Sequence, residues 1–372
     1  MQPLLTEVHK ARHEEFKAFA AAHVEPAAGE WDREQKLPAS AIAALAERGY
    51  LGTTIAPEHG GRGWDAVTFG LLNEAMARGS CALTGVVTVQ AMVAMALQKW
   101  GSAPQKDHWL PRLAGGAAIG AIALTEPGGG SDLQGISTTF TAQGGQLRLN
   151  GRKKWISCAQ FADVFLVFGK LDGRPAACLV PRDRICISPI NDLMGFRGAG
   201  LAELVFSDAE VPDENLVGKA GFALSHVAPI ALQYGRLSTA WSAIGLLRGC
   251  FEESVAYAAS RKIGKFGMIS SLIARMGTDL EAGALLCHAA CRAQDERTPD
   301  AFEKALMAKY FGSRAAVSAA SDAVQIRGAS GCHGASPVSR YYRDAKIMEI
   351  IEGTTQIHED LLARLFLDRH EH

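Results

Sequence analysis

Glu352 is the residue whose setting best suits acid–base chemistry. It follows the apolar pair Ile350 and Ile351 and precedes a Gly353-Thr354 step at the predicted start of a helix. Burial in an apolar turn disfavours the charged carboxylate and raises its pKa, which suits a general base that acts on a weakly acidic C–H bond. The segment alone is equally consistent with a carboxylate that only complements the positive end of the helix dipole.

A glycine-rich segment, LTEPGGGSD at positions 124–132, follows a predicted strand. Three consecutive glycines allow a ligand to approach the backbone closely, and the hydroxyls of Thr125 and Ser131 are suited to a polar ring edge or a phosphate. The segment is not a Walker loop, because no Gly-Lys-Ser/Thr follows. Taken alone, it is as consistent with a flexible connection between strands as with a binding loop.

A second candidate is Lys153-Lys-Trp-Ile-Ser157, which is predicted as a strand. Strand alternation would place Trp155 and Ser157 on one face, where the indole could cover a planar ring. A half-buried tryptophan of an ordinary strand is the alternative interpretation.

The glycines between Gly328 and Gly334 follow a predicted helix and not a strand. They therefore indicate a capped helix end and not a dinucleotide fingerprint. Gln325 and Arg327, just before them, are candidates for phosphate or amide contacts.

Composition excludes several classes of protein. The 372 residues carry a formal net charge of −1, so we expect no nucleic acid and no membrane as partners. The eight cysteines never form CxxC, which argues for reduced, packed thiols and against a metal site. The first residues lack the basic and apolar regions of a signal peptide, and we expect a cytoplasmic protein.

The elements that must position these residues fall into three blocks. Residues 1–115 show helical periodicity, residues 116–213 form six or seven short β-branched runs separated by turns, and residues 214–372 form long Ala-rich helices. Expected turns include Gly144-Gly145, Asn150-Gly151 and the segment LDGRP. We predict an α+β protein with an N-terminal helical domain, a middle antiparallel β-barrel or sandwich, and a C-terminal four-helix bundle.

Taken together, the motifs resemble those of the acyl-CoA dehydrogenase family over essentially the whole chain. The segments that carry the resemblance are APEHGG at 56–61, LTEPGGGSD at 124–132, KWIS at 154–157, YGR at 234–236 and RDAKIMEIIEGTTQ at 343–356. Each is weak alone, but they occur in this order within an α-β-α partition.

The resemblance implies a flavoprotein that binds FAD between the β-domain and the C-terminal bundle, as a homodimer or homotetramer. It assigns contacts with the flavin ring and the pyrophosphate to Leu124, Thr125, Gly130 and Ser131. Trp155 and Ser157 would cover the opposite face of the flavin ring. Arg261 of one subunit and Gln325 of its neighbour would reach the diphosphate and adenosine. Thr354 and Gln356 would add cofactor contacts, and Arg236 and Gly353 would lie against the substrate.

The resemblance also makes Glu352 the catalytic base. Some family members carry the base immediately before the arginine of the YGR motif, but that position is Gly235 here. Abstraction of the α-proton would be assisted by the N–H of Glu352 and a ribityl hydroxyl of FAD. The β-hydrogen would leave as hydride to flavin N5, and electrons would pass to an electron-transfer flavoprotein or another acceptor.

The substrate would be a small acyl thioester. The segments at 231–241 and 343–353 look most like the acyl dehydrogenases of hydroxymalonyl and methoxymalonyl polyketide extender units, which act on groups tethered to acyl carrier protein. An ordinary short-chain acyl-CoA dehydrogenase is the alternative, followed by an oxygen-reacting flavoenzyme and a flavin-less scaffold. Arg197, Lys262 and Lys265 are candidate carrier-protein contacts at the pocket mouth, and ordinary solvated surface charge is the alternative interpretation for each. The loop after Arg261 is about five residues shorter than the family pattern, which puts the adenosine contacts in doubt.

Overall fold

The computed structural model describes residues 4–369, and they follow the predicted α-β-α order. Six α-helices precede the sheet. They are α1 (Glu7–Phe19), α2 (Glu25–Glu34), α3 (Ala39–Glu47), α4 (Ala66–Gly79), α5 (Cys81–Trp100) and α6 (Ala103–Ala114). Side-chain caps start several of them: Asp65 accepts from the Thr68 N–H at the start of α4, and Ser80 accepts from the Leu83 N–H at the start of α5.

Seven strands form one sheet in the order β1-β4-β2-β3-β7-β6, with β5 paired to β4. The strands are β1 (Gly120–Ala123), β2 (Thr139–Gln143), β3 (Gln146–Ile156), β4 (Val164–Leu171), β5 (Arg174–Pro181), β6 (Cys186–Pro189) and β7 (Ala202–Pro212). The sheet is mixed and not wholly antiparallel, because β1 and β2 both run parallel to β4. Neither strand is joined to β4 by a hairpin, and such non-hairpin connections permit parallel pairing.

The predicted turns have two outcomes. Gly144 and Gly145 both have positive φ and close the β2–β3 hairpin, as the sequence predicts. The Asn150-Gly151 turn is wrong, since both residues lie inside β3, where the pairing with β7 shifts register. Gly151 is needed there because a Cβ would lie 2.6 Å from the Thr138 hydroxyl. The step is thus a bulge that bends a long strand.

Five helices complete the described chain. They are α7 (Ala228–Ser260), α8 (Gly267–Glu296), α9 (Ala301–Arg327), α10 (Pro337–Met348) and α11 (Thr355–Asp368). The central helix α7 packs against α4, α5, α8 and α9. Its fully buried Trp241 covers Gly70 of α4, and its indole N–H lies 3.1 Å from the Cys291 sulfur of α8. The bundle therefore shares its core with the N-terminal helices.

One helix among the described residues, α5, is long and apolar enough to cross a membrane by length and composition. However, 83% of its most apolar window is buried inside the protein, where α5 packs against α4, α7 and β1. Such burial is typical of the core helix of a globular fold.

Candidate active site

Glu352 lies in the turn that joins α10 to α11. Its φ is 55° and that of Gly353 is 100°, so two successive residues adopt the left-handed region. Thr354 then caps α11 by accepting from the Ile357 N–H. The helix start predicted after Glu352 is confirmed. A left-handed glutamate costs roughly 1–2 kcal/mol and persists only where the surroundings enforce it.

The Glu352 carboxylate rests directly on the backbone of α7. Its Oε2 is buried without a hydrogen-bond partner among the described residues. A Cβ built on Gly235 would overlap this oxygen and would lie 3.0 Å from Cε of Met92 on α5. The carboxylate thus occupies the space that a side chain at position 235 would need. Burial raises its pKa to about 7, although the charges of Arg236 and Lys309 act in the opposite direction.

Two buried cations face this carboxylate. Arg236 of α7 lies under the ring of Phe302, 5.3 Å from the ring centroid, and burial lowers its pKa. Lys309 of α9 has no exposed surface, and its Nζ donates a 2.6 Å hydrogen bond to the carbonyl of Gly353. Burial lowers the pKa of Lys309 to about 8, while the Glu352 charge opposes that shift.

Lys309 was not predicted as a site residue from the sequence. The signal that could have identified it is its position on the apolar face of α9, among Ala305, Leu306, Ala308 and Gly312. A lysine on the buried face of a helix is costly and indicates a specific electrostatic role. His358 was missed as well. It is fully buried beside Gly353, its Nδ1–H points to the Thr354 carbonyl at 3.0 Å, and burial lowers its pKa to about 4.

The glycine-rich loop is fastened to β3 by Lys153. The Nζ of Lys153 donates to the Leu124 carbonyl at 3.0 Å and to Oε1 of Glu126 at 2.8 Å, and the Lys154 N–H donates to the Thr125 carbonyl at 3.0 Å. These bonds bring Leu124 and Thr125 next to the strand that carries Trp155.

The rest of that loop is open. A Cβ on Gly128 or Gly129 would meet no atom within 4 Å, and one on Gly130 would lie 3.1 Å from the Thr125 side chain. The loop therefore presents exposed backbone and two hydroxyl-bearing residues, Thr125 and Ser131, beside Trp155. This surface suits a large polar ligand.

Trp155 and Ser157 depart from the predicted strand alternation. Trp155 has a φ of 63°, the register against β7 shifts between Lys153 and Ile156, and β3 ends at Ile156. Ser157 lies in the following turn, so the same-face argument is wrong. The bulge leaves Trp155 half-exposed, with the Lys154 ammonium 5.1 Å from its ring centroid. The roles of both residues stay predictions.

Helix α5 connects the two halves of the site. The side chain of Gln90 accepts from the Gly120 N–H at 2.8 Å and donates to the carbonyls of Leu113 and Ala118. It thereby fixes the start of β1, which leads to Leu124. Two residues later, Met92 lies against Gly235 and the Glu352 carboxylate. The start of the strand before the glycine-rich loop and the Gly235 backbone beside Glu352 are thus both in contact with one helix.

Thr354 and Gln356 line a polar cavity of about 320 Å³, together with Arg314 and Lys346. Arg261 and Gln325 are exposed and lie elsewhere. Arg261 follows Gly235 by 26 residues along α7, a distance of about 39 Å. Gln325 is in the last turn of α9, whose end contacts α7 through the Tyr257 hydroxyl and the Arg327 carbonyl. Within one chain, Arg261 and Gln325 do not lie near Glu352. That they contact FAD from two different subunits stays a prediction.

The turn after α7 is compact. The N–H groups of Lys262 and Ile263 bond back to the last turn of α7, and α8 begins at Gly267. Lys262 and Lys265 therefore lie with Arg261, about 40 Å along α7 from Glu352. Within one chain they are not at the mouth of the pocket around the base.

Three family models match the chain in order. They are the N-terminal domain of acyl-CoA dehydrogenase at residues 6–117, the middle domain at 121–209 and the C-terminal domain at 225–367. The mitochondrial short-chain specific acyl-CoA dehydrogenase of Rattus norvegicus is 33% identical over 96% of this chain and 90% of its own length.

Solved structures agree with this match. Butyryl-CoA dehydrogenase from Megasphaera elsdenii is 28% identical with a TM-score of 0.94, over 98% of this chain and 99% of its own. FkbI, for biosynthesis of the methoxymalonyl extender unit of the polyketide Fk520, is 30% identical with a TM-score of 0.89, over 95% and 99%. The prolyl acyl carrier protein oxidase AnaB is 25% identical with a TM-score of 0.92, over 97% and 99%. A chain with this fold, these three matched domains and a buried carboxylate on the Glu-Gly-Thr turn belongs to the acyl-CoA dehydrogenase family, whose members are oxidoreductases acting on CH–CH bonds.

Proposed function

We propose that this chain is an FAD-dependent dehydrogenase that introduces an α,β double bond into a small acyl thioester carried on acyl carrier protein, with Glu352 as the base. The observation that carries the proposal is the Glu352 carboxylate, whose buried, unpartnered Oε2 lies on the bare backbone of Gly235. A carboxylate without a hydrogen-bond donor keeps its lone pairs for a proton from substrate. Its pKa of about 7 is suited to that task at neutral pH.

The residues present fit FAD. The backbone of Gly128 and Gly129 has open space where side chains would stand, and the half-exposed indole of Trp155 offers a flat apolar face beside them. Thr125, Ser131, Thr354 and Gln356 supply neutral donors and acceptors for ring edges and hydroxyls. When bound, FAD would supply the acceptor for the electron pair of the β C–H bond. Leu124 and Gly130 complete the residues that would hold the ring.

The chain's own residues then account for proton removal. Glu352 takes the α-proton, so that the C–H electron pair moves into the new double bond. The thioester carbonyl needs a hydrogen-bond donor as negative charge develops on its oxygen, and the N–H of Glu352 is the donor that the resemblance assigns. We place Arg236 and Gly353 against the substrate because both lie beside the carboxylate.

Relatives support two different carriers. The carrier-protein assignment is supported by FkbI, which serves an extender-unit pathway, and by AnaB, a prolyl acyl carrier protein oxidase. The second candidate, an ordinary short-chain acyl-CoA dehydrogenase, is favoured by the 33% identity to the short-chain enzyme of rat. In both cases we expect an electron-transfer flavoprotein or a similar acceptor.

We also propose a homodimer or homotetramer. If Arg261 contacts FAD, the cofactor cannot be the one beside Glu352 of the same chain, because about 39 Å of α7 separates Gly235 from Arg261. Sedimentation of the protein with and without FAD tests this arrangement.

An anaerobic titration tests the proposed function. Purified protein is reconstituted with FAD, and the flavin absorption band is followed while a small acyl group is added on acyl carrier protein or on CoA. Bleaching by the carrier-protein thioester at least tenfold faster supports the proposal. Faster bleaching by acyl-CoA overturns the carrier assignment in favour of the second candidate.

Three further outcomes would argue against a dehydrogenase. Failure of both thioesters to bleach a bound flavin would contradict a dehydrogenase. Absence of any flavin after reconstitution would indicate a scaffold without redox function. Rapid reaction of the reduced flavin with oxygen would indicate an oxygen-reacting flavoenzyme.

A further inference from the structure

We propose that Lys309 is the positioning residue of the active site, and that its ammonium holds the Glu352–Gly353 turn and supplies the positive charge that keeps Glu352 able to accept a proton. The inference deepens the proposed function and rests on Glu352 being the base. Lys309 contacts this turn from α9, whereas the turn itself joins α10 to α11.

The cost of burying Lys309 argues for such a role. Its side chain has no exposed surface, and among residues 4–369 no carboxylate lies within 4 Å of its Nζ. Its only close partner in the described hydrogen bonds is the Gly353 carbonyl, at 2.6 Å. A buried ammonium without an ion pair is far less favourable than an apolar side chain of the same length. Packing alone would favour methionine at this position.

The hydrogen bond to Gly353 constrains the base directly. Glu352 and Gly353 both have positive φ, a conformation that relaxes readily in a non-glycine residue unless it is held. Fixing the Gly353 carbonyl fixes the peptide plane that follows Glu352. The side chain is then confined between the bare backbone of Gly235 and Met92.

The charge of Lys309 acts on the same carboxylate. The charged groups that act on Glu352 are Arg236 from α7 and Lys309 from α9. Glu349 at the end of α10 acts on Lys309, and His358 from α11 lies beside Gly353. His358 is neutral near pH 7, since its pKa is lowered to about 4. Burial favours the protonated acid, which cannot act as a base, and the two cations counter that effect.

The test replaces Lys309 by methionine, which keeps the length and removes the charge. The matched control is Lys304→Met on the same helix, where a partly exposed lysine pairs with Asp300 at 2.9 Å. Flavin reduction by the thioester is measured from pH 5.5 to 9. For Lys309→Met we expect the rising limb of the pH–rate profile to move up by about one pH unit, so that the rate falls about fivefold at pH 7 and almost fully recovers at pH 9. Lys304→Met should keep the wild-type profile.

A rate reduced equally at every pH, or a wild-type profile, overturns the proposal, because a purely structural lysine would not move the limb. Lys309→Gln is the second variant if methionine prevents folding, and circular dichroism verifies the fold of each. The carboxyl stretch of Glu352, assigned by its absence in Glu352→Gln, is titrated by infrared difference spectroscopy without substrate. If the midpoint of the Glu352 titration is unchanged in Lys309→Met, the inference about Lys309 is contradicted even if the thioester proposal is correct. If the wild-type protein fails to reduce its flavin, only the thioester proposal is rejected.

Discussion

Two glutamates of this protein, the buried Glu126 in the glycine-rich loop and the partly buried Glu352 in the α10–α11 turn, have opposite electrostatic environments. Glu126 accepts five hydrogen bonds, two each from Ser137 and Thr138 and one from Lys153. Burial alone would raise the pKa of Glu126, but these bonds lower it to about 2. Within residues 4–369, Oε2 of Glu352 has no hydrogen-bond donor, and burial raises the pKa of Glu352 to about 7.

The difference shows that donors, and not burial, decide what a buried carboxylate can do. Glu126 is ionised at neutral pH and accepts five hydrogen bonds, so it acts as an anchor for the loop that carries Thr125 and Ser131. Glu352 faces its cations Arg236 and Lys309 only at longer range, so it keeps both a free lone pair and a titration near neutral pH. The environment of Glu126 is suited to rigidity, and that of Glu352 is suited to the proton transfer proposed for it.

Glu352→Gln should have the largest effect. Glutamine keeps the size of the side chain but cannot take the α-proton, so flavin reduction by the thioester should slow by about 10³-fold or more. Stopped-flow absorbance measures the rate, and the flavin band verifies that cofactor remains bound. Asp360→Asn, which breaks an exposed ion pair with Arg364 on α11, is the control and should leave the rate unchanged. A wild-type rate in Glu352→Gln would place the base elsewhere.

Lys153→Met should have the next largest effect, which is a loss of stability against unfolding. It leaves the buried Glu126 carboxylate without its cation, which costs about 3 kcal/mol in free energy of unfolding. Urea denaturation compares it with Arg152→Met. Arg152 is the matched control because it precedes Lys153 on β3 but is exposed and pairs with Glu203 at the surface. Loss of that surface ion pair should cost less than about 1 kcal/mol in free energy of unfolding. Equal losses for the two variants would show that the Glu126 network is not an anchor.

Gly235→Ala should separate activity from stability. The new Cβ overlaps Oε2 of Glu352, so the carboxylate must move, and a displacement near 1 Å lowers the rate on the order of 10- to 100-fold. Alanine also favours the helix by up to about 1 kcal/mol, which limits any loss of stability. Gly267→Ala, where a Cβ meets nothing within 4 Å, is the control. An unaffected rate in Gly235→Ala would mean that the base tolerates displacement.

Much of the fold follows from local sequence signals. Helical periodicity, capping residues and the Gly144-Gly145 turn predict the α-β-α order and the β2–β3 hairpin. The parallel pairing of β1 and β2 with β4 does not follow, because it depends on which strands meet after a long connection. The bulges at Gly151 and Trp155 also escape a rule of strict alternation, since neighbouring side chains such as Thr138 decide them.

The site divides in the same way. Glu352 and the loop at 124–131 could be predicted because their motifs are contiguous. Lys309, His358 and Met92 reach the base from separate helices, so only the tertiary structure reveals them. The hydrogen bonding of the Glu126 carboxylate is likewise a tertiary property. Its donors Ser137 and Thr138 follow it by more than ten positions, and Lys153 follows it by 27.

The smallest expected effect concerns the pH dependence of stability, and it has opposite signs for the two glutamates. The folded pKa of Glu352 is raised from 4.5 to about 7, so its contribution to stability is present at low pH and is lost as the pH rises through that interval. Glu352→Gln removes this loss and should gain about 2 kcal/mol relative to wild type between pH 5 and pH 8, measured by urea denaturation. The folded pKa of Glu126 is lowered, so its stabilisation is present above 4.5 and is lost as the pH falls toward 2. Glu126→Gln should therefore be least harmful in acid, and parallel pH profiles for the two variants would contradict the distinction between anchor and base.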